Sequence, residues 1–166
     1  MAWPRKNYKP LGDDLTAINK AALGYLSRRE YSVAELTAKL RERGADESVL
    51  DESIRRLQEL HYVDDGRYAA AYVRDRREFH PRGVAVIRRE LAARGVDPAV
   101  AEKAIEEEYD EDTQRQTLRR LMIKAAAAMP EDEAAAAAYR RRIARRFIAK
   151  GFPQGMVFDE LKDILL

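Results

Sequence analysis

The sequence predicts an all-α protein, an elongated tandem array of three three-helix repeats, and three observations predict it. Apolar residues recur at helical rather than alternating spacing from Leu15 onward. One pattern occurs three times, as Leu36-Leu40-Gly44, Ile87-Leu91-Gly95 and Ile143-Phe147-Gly151, each glycine preceded by a basic residue (Arg43, Arg94, Lys150). After each glycine come a small or apolar residue (Ala45, Val96, Phe152) and apolar positions at matching offsets: Val49, Val100 and Met156, then Ile54, Ile105 and Leu161. The glycines stand 51 and 56 residues apart, room for three short helices per copy. The expected division is an arm over residues 1–14 and repeats over 15–62, 63–110 and 111–166.

Within Met1 to Asp14, Trp3, Pro4, Arg5, Lys6, Tyr8, Lys9, Pro10 and Gly12 break periodicity and predict a flexible basic arm. Leu15, Ile18, Ala22, Leu23 and Leu26 then form the apolar stripe of a first helix, ending near Arg28-Arg29. Ser32 caps the second, with Glu35 in capping-box position, and Leu36 and Leu40 carry its seam up to Gly44. Gly44 ends it, because glycine enters the left-handed conformation at least cost. A third helix begins at Asp46 and buries Val49, Leu50, Ile54 and Leu57.

The second repeat starts with the helix of the stretch His61-Tyr62-Val63-Asp64-Asp65-Gly66-Arg67-Tyr68, which runs through Tyr72 to Arg77. Asp64 or Asp65 caps its helix, since a short carboxylate accepts from the first free N–H groups and meets the positive end of the dipole. Tyr68, Tyr72 and Phe79 share one face with Ala69 and Val73, while Arg67, Arg74 and Arg77 fall on another. The aromatic side is expected to pack, with Tyr62, Tyr68 and Tyr72 as packing residues. Pro81-Arg82-Gly83 leads into Val84 to Arg94, and Asp97 caps a helix with Pro98 in its first turn. Glu102, Glu106, Glu107, Glu108, Asp110, Glu111 and Asp112 read as a solvated helix end and linker. In the third repeat a helix over Gln114 to Ala128 is interrupted by Pro130 and helix restarts at Ala134. Ile143, Ala144, Phe147 and Ile148 then face inward, and Arg141, Arg142, Arg145 and Arg146 outward. Like charges on adjacent turns repel, which points to an acidic partner.

Composition narrows the function classes. With 46% hydrophobic residues the 166-residue chain can bury a core, and 31 Lys+Arg against 29 Asp+Glu leave a net charge of only +2, made of separate basic and acidic stretches. There is no cysteine, so disulfides and thiolate metal sites are excluded. No apolar run reaches membrane-spanning length and no hydrophobic leader opens the chain, so a cytoplasmic protein is expected. His61 and His80, the only histidines, read as a helix-end and a turn residue, without metal-ligand spacing. No glycine-rich phosphate loop appears. Neither catalysis nor a cofactor is expected.

The stretch Tyr62-Val63-Asp64-Asp65-Gly66-Arg67-Tyr68-Ala69, with Tyr72-Val73-Arg74-Asp75-Arg76 after it, resembles the RecX family of bacterial regulators of the RecA recombinase. The resemblance extends back to Ala22-Leu23, Ser32, Glu35-Leu36 and Lys39-Leu40, and forward through Gly83, Ile87-Arg88, Glu90-Leu91 and Gly95 to a weaker match at Gly151-Phe152. His61 stands where the family often has glycine. The resemblance implies helical repeats lying in the groove of a RecA filament on single-stranded DNA and restraining its growth, ATP turnover and strand exchange. It further implies contact through Arg67, Arg74 and Arg77, with Arg88, Arg141, Arg142, Arg145 and Arg146 as further candidates. The partners it implies are the RecA filament and its single-stranded DNA, with no membrane and no small-molecule substrate, and a monomer is the expected state. Two rival readings are a stand-alone DNA-binding regulator built from helix-turn-helix-like units and a purely structural scaffold.

Overall fold

The computed structural model describes residues 9–165, and among them the chain is helical with no strand. The helices are α1 (Leu15–Leu26), α2 (Val33–Glu42), α3 (Glu47–Glu59), α4 (Asp65–Glu78), α5 (Val84–Ala92), α6 (Pro98–Glu108), α7 (Glu111–Ala126), α8 (Glu133–Ala149) and α9 (Gln154–Leu165). Two compact units result: one takes the described residues up to Tyr68 with Arg94–Val96, the other Ala69–Ala93 and everything from Asp97.

In the first unit, helix starts are fixed by short polar side chains at the N-caps. Asp14 accepts from the Ala17 N–H at 3.0 Å, and Ser32 and Glu35 form the complete capping box on α2. The core gathers Ile18 and Ala22 of α1, Leu36 and Leu40 of α2, and Leu50, Ile54 and Leu57 of α3, closed by Tyr31 and Val63. The buried Ser53 hydroxyl donates to Asn19 Oδ1 at 2.6 Å, so the one polar group that α3 turns inward is satisfied by α1. Leu23, placed on the α1 stripe by its spacing, is instead exposed.

In the second unit α7, α8 and α9 close over Leu118, Met122, Ile143, Phe147, Phe152, Met156 and Val157. Asp110 caps α7 by accepting from the Thr113 N–H at 2.8 Å, so the acidic stretch expected to be a linker is helix on both sides of Tyr109-Asp110. Tyr109 itself is fully buried. Glu160 of α9 is 2% exposed and lies 3.2 Å from Arg119 and 3.6 Å from Arg115, both on α7. Burying a carboxylate is costly unless it is paired, and two guanidinium groups pair this one. Phe79, expected on the packed aromatic face, is 74% exposed because α4 ends one residue before it.

The three repeated glycines have the same backbone. Gly44, Gly95 and Gly151 have φ of 74°, 73° and 94°, a region costly to any residue with a Cβ. Each turn leaves the carbonyl of the preceding basic residue without a helical partner, and in each case another segment supplies the donor. The Leu11 N–H donates to Arg43 at 3.0 Å, the Ser32 hydroxyl to Arg94 at 2.6 Å, and the Gly83 N–H to Lys150 at 2.9 Å. Ser32 and Gly83 both stand 12 residues before the glycine of their own pattern. The flexible arm expected over 1–14 is therefore corrected at its end. Residues 1–8 lie outside the described residues, but Leu11 and Gly12 are tied down, with Gly12 bonded to Gly44 and Asp46 at 2.8 Å each.

Contact at these joints is close enough to dictate side-chain size. A Cβ on Gly95 would lie 2.4 Å from that of Ala34, and one on Gly83 2.1 Å from the Gly151 backbone. Gly83 has an ordinary φ of −80°, so its requirement for glycine is steric alone. Gly83→Ala should therefore cost about 2 kcal/mol or more in urea unfolding. Gly24→Ala, where a Cβ added on α1 has no neighbour within 4 Å beyond the helix's own backbone, should stabilise by roughly 0.5–1 kcal/mol. Equal effects of the two substitutions would contradict the close joint.

Candidate partner-binding surface

The motif that opens α4 uses its two aspartates differently. Asp64 caps the helix, accepting from the Arg67 N–H at 3.0 Å. Asp65 accepts instead from the Val33 N–H at 2.8 Å, supplying the start of α2 with a partner that Ser32 does not reach. Helix α2 thus begins on two acceptors, Ser32 Oγ for the Glu35 N–H and Asp65 for that of Val33. Tyr68 is buried in the same unit, whereas Tyr62, expected to pack, is half exposed. Before the motif His61 has φ 57°. That is the conformation glycine takes most easily, and it costs histidine about 1 kcal/mol or more.

The sequence-predicted arginines separate into two groups. Those of the motif are engaged within the protein. Arg67 holds Glu30 at 3.2 and 3.3 Å and donates to the carbonyls of His61 at 3.0 Å and Tyr62 at 3.2 Å. Arg74 and Arg77 are brought together on the end of α6. Arg74 pairs with the Glu108 carboxylate, and Arg77 donates to the Glu108 carbonyl at 2.7 Å. Arg88 forms a two-point pair with Glu102, the planar geometry that suits guanidinium to carboxylate. The Tyr72 hydroxyl donates to Glu90 at 2.8 Å, and Arg76 reaches both, Glu90 at 2.7 Å and the Tyr72 oxygen at 2.6 Å. These pairs are partly exposed, so each holds geometry more than it adds stability.

The α8 group differs. Arg141, Arg142, Arg145 and Arg146 are all exposed, and among the described residues none has a carboxylate within the 4.0 Å of an ion pair. Arg142 rests over the Tyr139 ring at 4.7 Å and Arg146 over Phe147 at 5.8 Å, contacts that orient a guanidinium without neutralising it. Burial lowers the Lys150 ammonium below its ordinary pKa, and the charges of Arg82 and Arg146 add to the effect. Arg82 and Lys150 thus join the α8 arginines in one cationic neighbourhood. Helical spacing gave no signal for this, since Arg82 arrives through the Gly83 to Lys150 bond. Nor did it show Glu30, Glu90, Glu102 and Glu108 as counter-ions. Among the described residues no helix is long and apolar enough to cross a membrane.

The chain matches known proteins over most of its length. The family model described as "RecX, first three-helix domain" matches residues 20–57, and that described as "RecX, second three-helix domain" matches residues 64–105. The "Regulatory protein RecX" of Geobacillus kaustophilus (strain HTA426) is 34% identical over 151 residues, covering 91% of this chain and 55% of the relative. That of Pseudomonas putida is 38% identical over 95 residues, covering 57% and 66%. The crystal structure of RecX from Lactobacillus salivarius superposes with a TM-score of 0.83 at 27% identity, covering 91% of this chain and 96% of that one. The chain spans about half the length of the Geobacillus relative that it matches along most of its own.

The adjacent aspartates should titrate apart. The Arg67 N–H holds the Asp64 carboxyl below the ordinary aspartate value, and burial pushes that of Asp65 above it, against the bond from Val33. Asp64 therefore contributes stability that is present above the unfolded aspartate pKa and fades as pH falls through its lowered folded value. The contribution of Asp65 is fullest below the unfolded pKa and is lost as pH rises through its raised one. Carboxyl carbon NMR should find the two midpoints on opposite sides of the ordinary value; coincident midpoints would contradict the assignment of roles.

Proposed function

The chain belongs to the RecX family, and from that premise we propose that it regulates the RecA recombinase by binding the filament that RecA forms on single-stranded DNA. In this reading it restrains filament growth, ATP hydrolysis and strand exchange, and so modulates recombinational repair and the SOS response. It acts in the cytoplasm as a monomer, and the reaction it affects takes place on the partner. The observation that carries the reading is the α8 arginine group, exposed and without internal carboxylates. Guanidinium groups held on a helix bind carboxylates and phosphates alike, and a filament offers both. We read Arg141, Arg142, Arg145 and Arg146 as the principal contacts. Arg67, Arg74, Arg77 and Arg88 act at the interface only through the side of each guanidinium that its internal partner leaves open. Tyr62, Asp64, Asp65, Tyr68 and Tyr72 shape the motif.

We read the helices as three repeats over 15–62, 63–110 and 111–166, a division supported by the equivalent glycine turns. The helix after a glycine turn does not suit duplex readout. Glu102 of α6 is held by Arg88, Glu106 and Glu107 are exposed acids, and α9 presents Asp159. A recognition helix needs donors for phosphates and bases there.

RecA-catalysed ATP hydrolysis on single-stranded DNA tests the reading. Substoichiometric amounts of the protein should inhibit turnover. Replacing Arg141, Arg142, Arg145 and Arg146 together by Ala should raise the half-inhibitory concentration about tenfold or more, some 1.4 kcal/mol of binding, without lowering the thermal midpoint. Arg88→Ala, at a guanidinium already held by Glu102, should raise that concentration by no more than about twofold. Undiminished inhibition by the α8 variant, or no inhibition by the parent, would overturn it.

A further inference from the structure

The first unit carries an apolar surface of its own. Leu23, Leu60 and Tyr62 are 39%, 57% and 49% exposed, and they border one recess of about 500 Å³ between α1 and the end of α3. A second recess of about 320 Å³ shares Leu23 and Tyr62 with it. Single exposed apolar side chains are ordinary, but three around one depression make a continuous patch of the kind that proteins cover on binding. Tyr62 is not exposed by fraying. Its N–H donates to the Leu57 carbonyl at 2.8 Å, and its own carbonyl accepts from Arg67 at 3.2 Å. The patch is therefore organised before any partner arrives, which lowers the ordering cost of binding.

Charge identifies the partner. Five basic side chains of this unit are neutralised by neighbours: Arg29 by Glu35, Lys39 by Glu42, Arg41 by Glu47, Arg55 by Glu59 and Arg67 by Glu30. Lys20 and Arg56, which edge the larger recess, have no carboxylate within 4.0 Å among the described residues. We propose that this recess docks an acidic segment of a partner protein. An apolar side chain of the segment enters between Leu23, Leu60 and Tyr62, and its carboxylates face Lys20 and Arg56. A nucleic-acid strand would call for aromatic faces in series along a cationic groove. Here one tyrosine stands among leucines, a lining that suits an aliphatic or phenyl group.

The test uses the full chain, isotope-labelled for NMR, and a synthetic peptide of aspartates and glutamates around a central Phe-Leu pair. Saturable shifts should centre on Leu23, Leu60 and Tyr62. Leu60→Asp, at a site exposed enough to leave folding intact, should weaken the peptide about tenfold or more, and the double variant Lys20→Glu/Arg56→Glu should do the same. Arg142→Glu/Arg146→Glu should leave peptide binding unchanged, so that failure here and failure of the α8 reading are separable. The proposal is overturned if the peptide does not bind, if its lysine-substituted counterpart binds as well, or if the shifts lie elsewhere. It is equally overturned if oligo-dT or a second copy of the chain, and not the peptide, perturbs these residues.

Discussion

A turn that only glycine closes cheaply, and a neighbouring segment that satisfies the carbonyl it leaves bare, is the contact on which each unit depends. At Gly44, Gly95 and Gly151 the chain enters left-handed space, and the preceding carbonyl accepts from Leu11, Ser32 or Gly83. The donor differs with the residue that reaches the carbonyl. Ser32 bridges with its hydroxyl, whereas Gly83 has no side chain and brings its own N–H to Lys150. Helices as short as α2 and α5, of 10 and 9 residues, would be marginal in isolation. Docked ends and a shared core keep them folded.

Ordered charge follows from that framework. Once Asp65 is committed to the α2 start and Glu30, Glu90, Glu102 and Glu108 to arginines, the motif arginines serve the geometry of their own units. The α8 arginines have no such commitment. Four like charges on adjacent turns cost the helix stability, and the alanines before them, together with the Asp132 cap on the Ala135 N–H at 2.8 Å, offset part of that cost. The cationic surface is thus held on a helix whose own local preferences are strong.

Local features of the sequence were legible because their causes are local. Ser32 with Glu35 announces a capping box, Asp97 with Pro98 a helix start, and the glycines after Arg43, Arg94 and Lys150 their turns; each appears in the structure. The same reasoning correctly buries Ile143, Ala144 and Phe147 and exposes the arginines beside them. What it missed depends on partners far along the chain. Asp65 meets Val33 across 32 residues and Arg67 meets Glu30 across 37, and helical periodicity has no information on either pairing. Leu23 and Phe79 were assigned to apolar faces by spacing alone. Spacing marks a stripe but not where the neighbouring helix or the helix end stops covering it.

The docking of helix starts on glycine turns is most directly tested by native-state hydrogen exchange. The Gly83 amide, whose acceptor is the Lys150 carbonyl 2.9 Å away, precedes the first residue of α5, where an undocked amide would exchange freely. The account predicts protection of Gly83 comparable to that of the buried Leu91 amide within α5. Exchange of Gly83 at the rate of an open loop, with Leu91 protected, would contradict it.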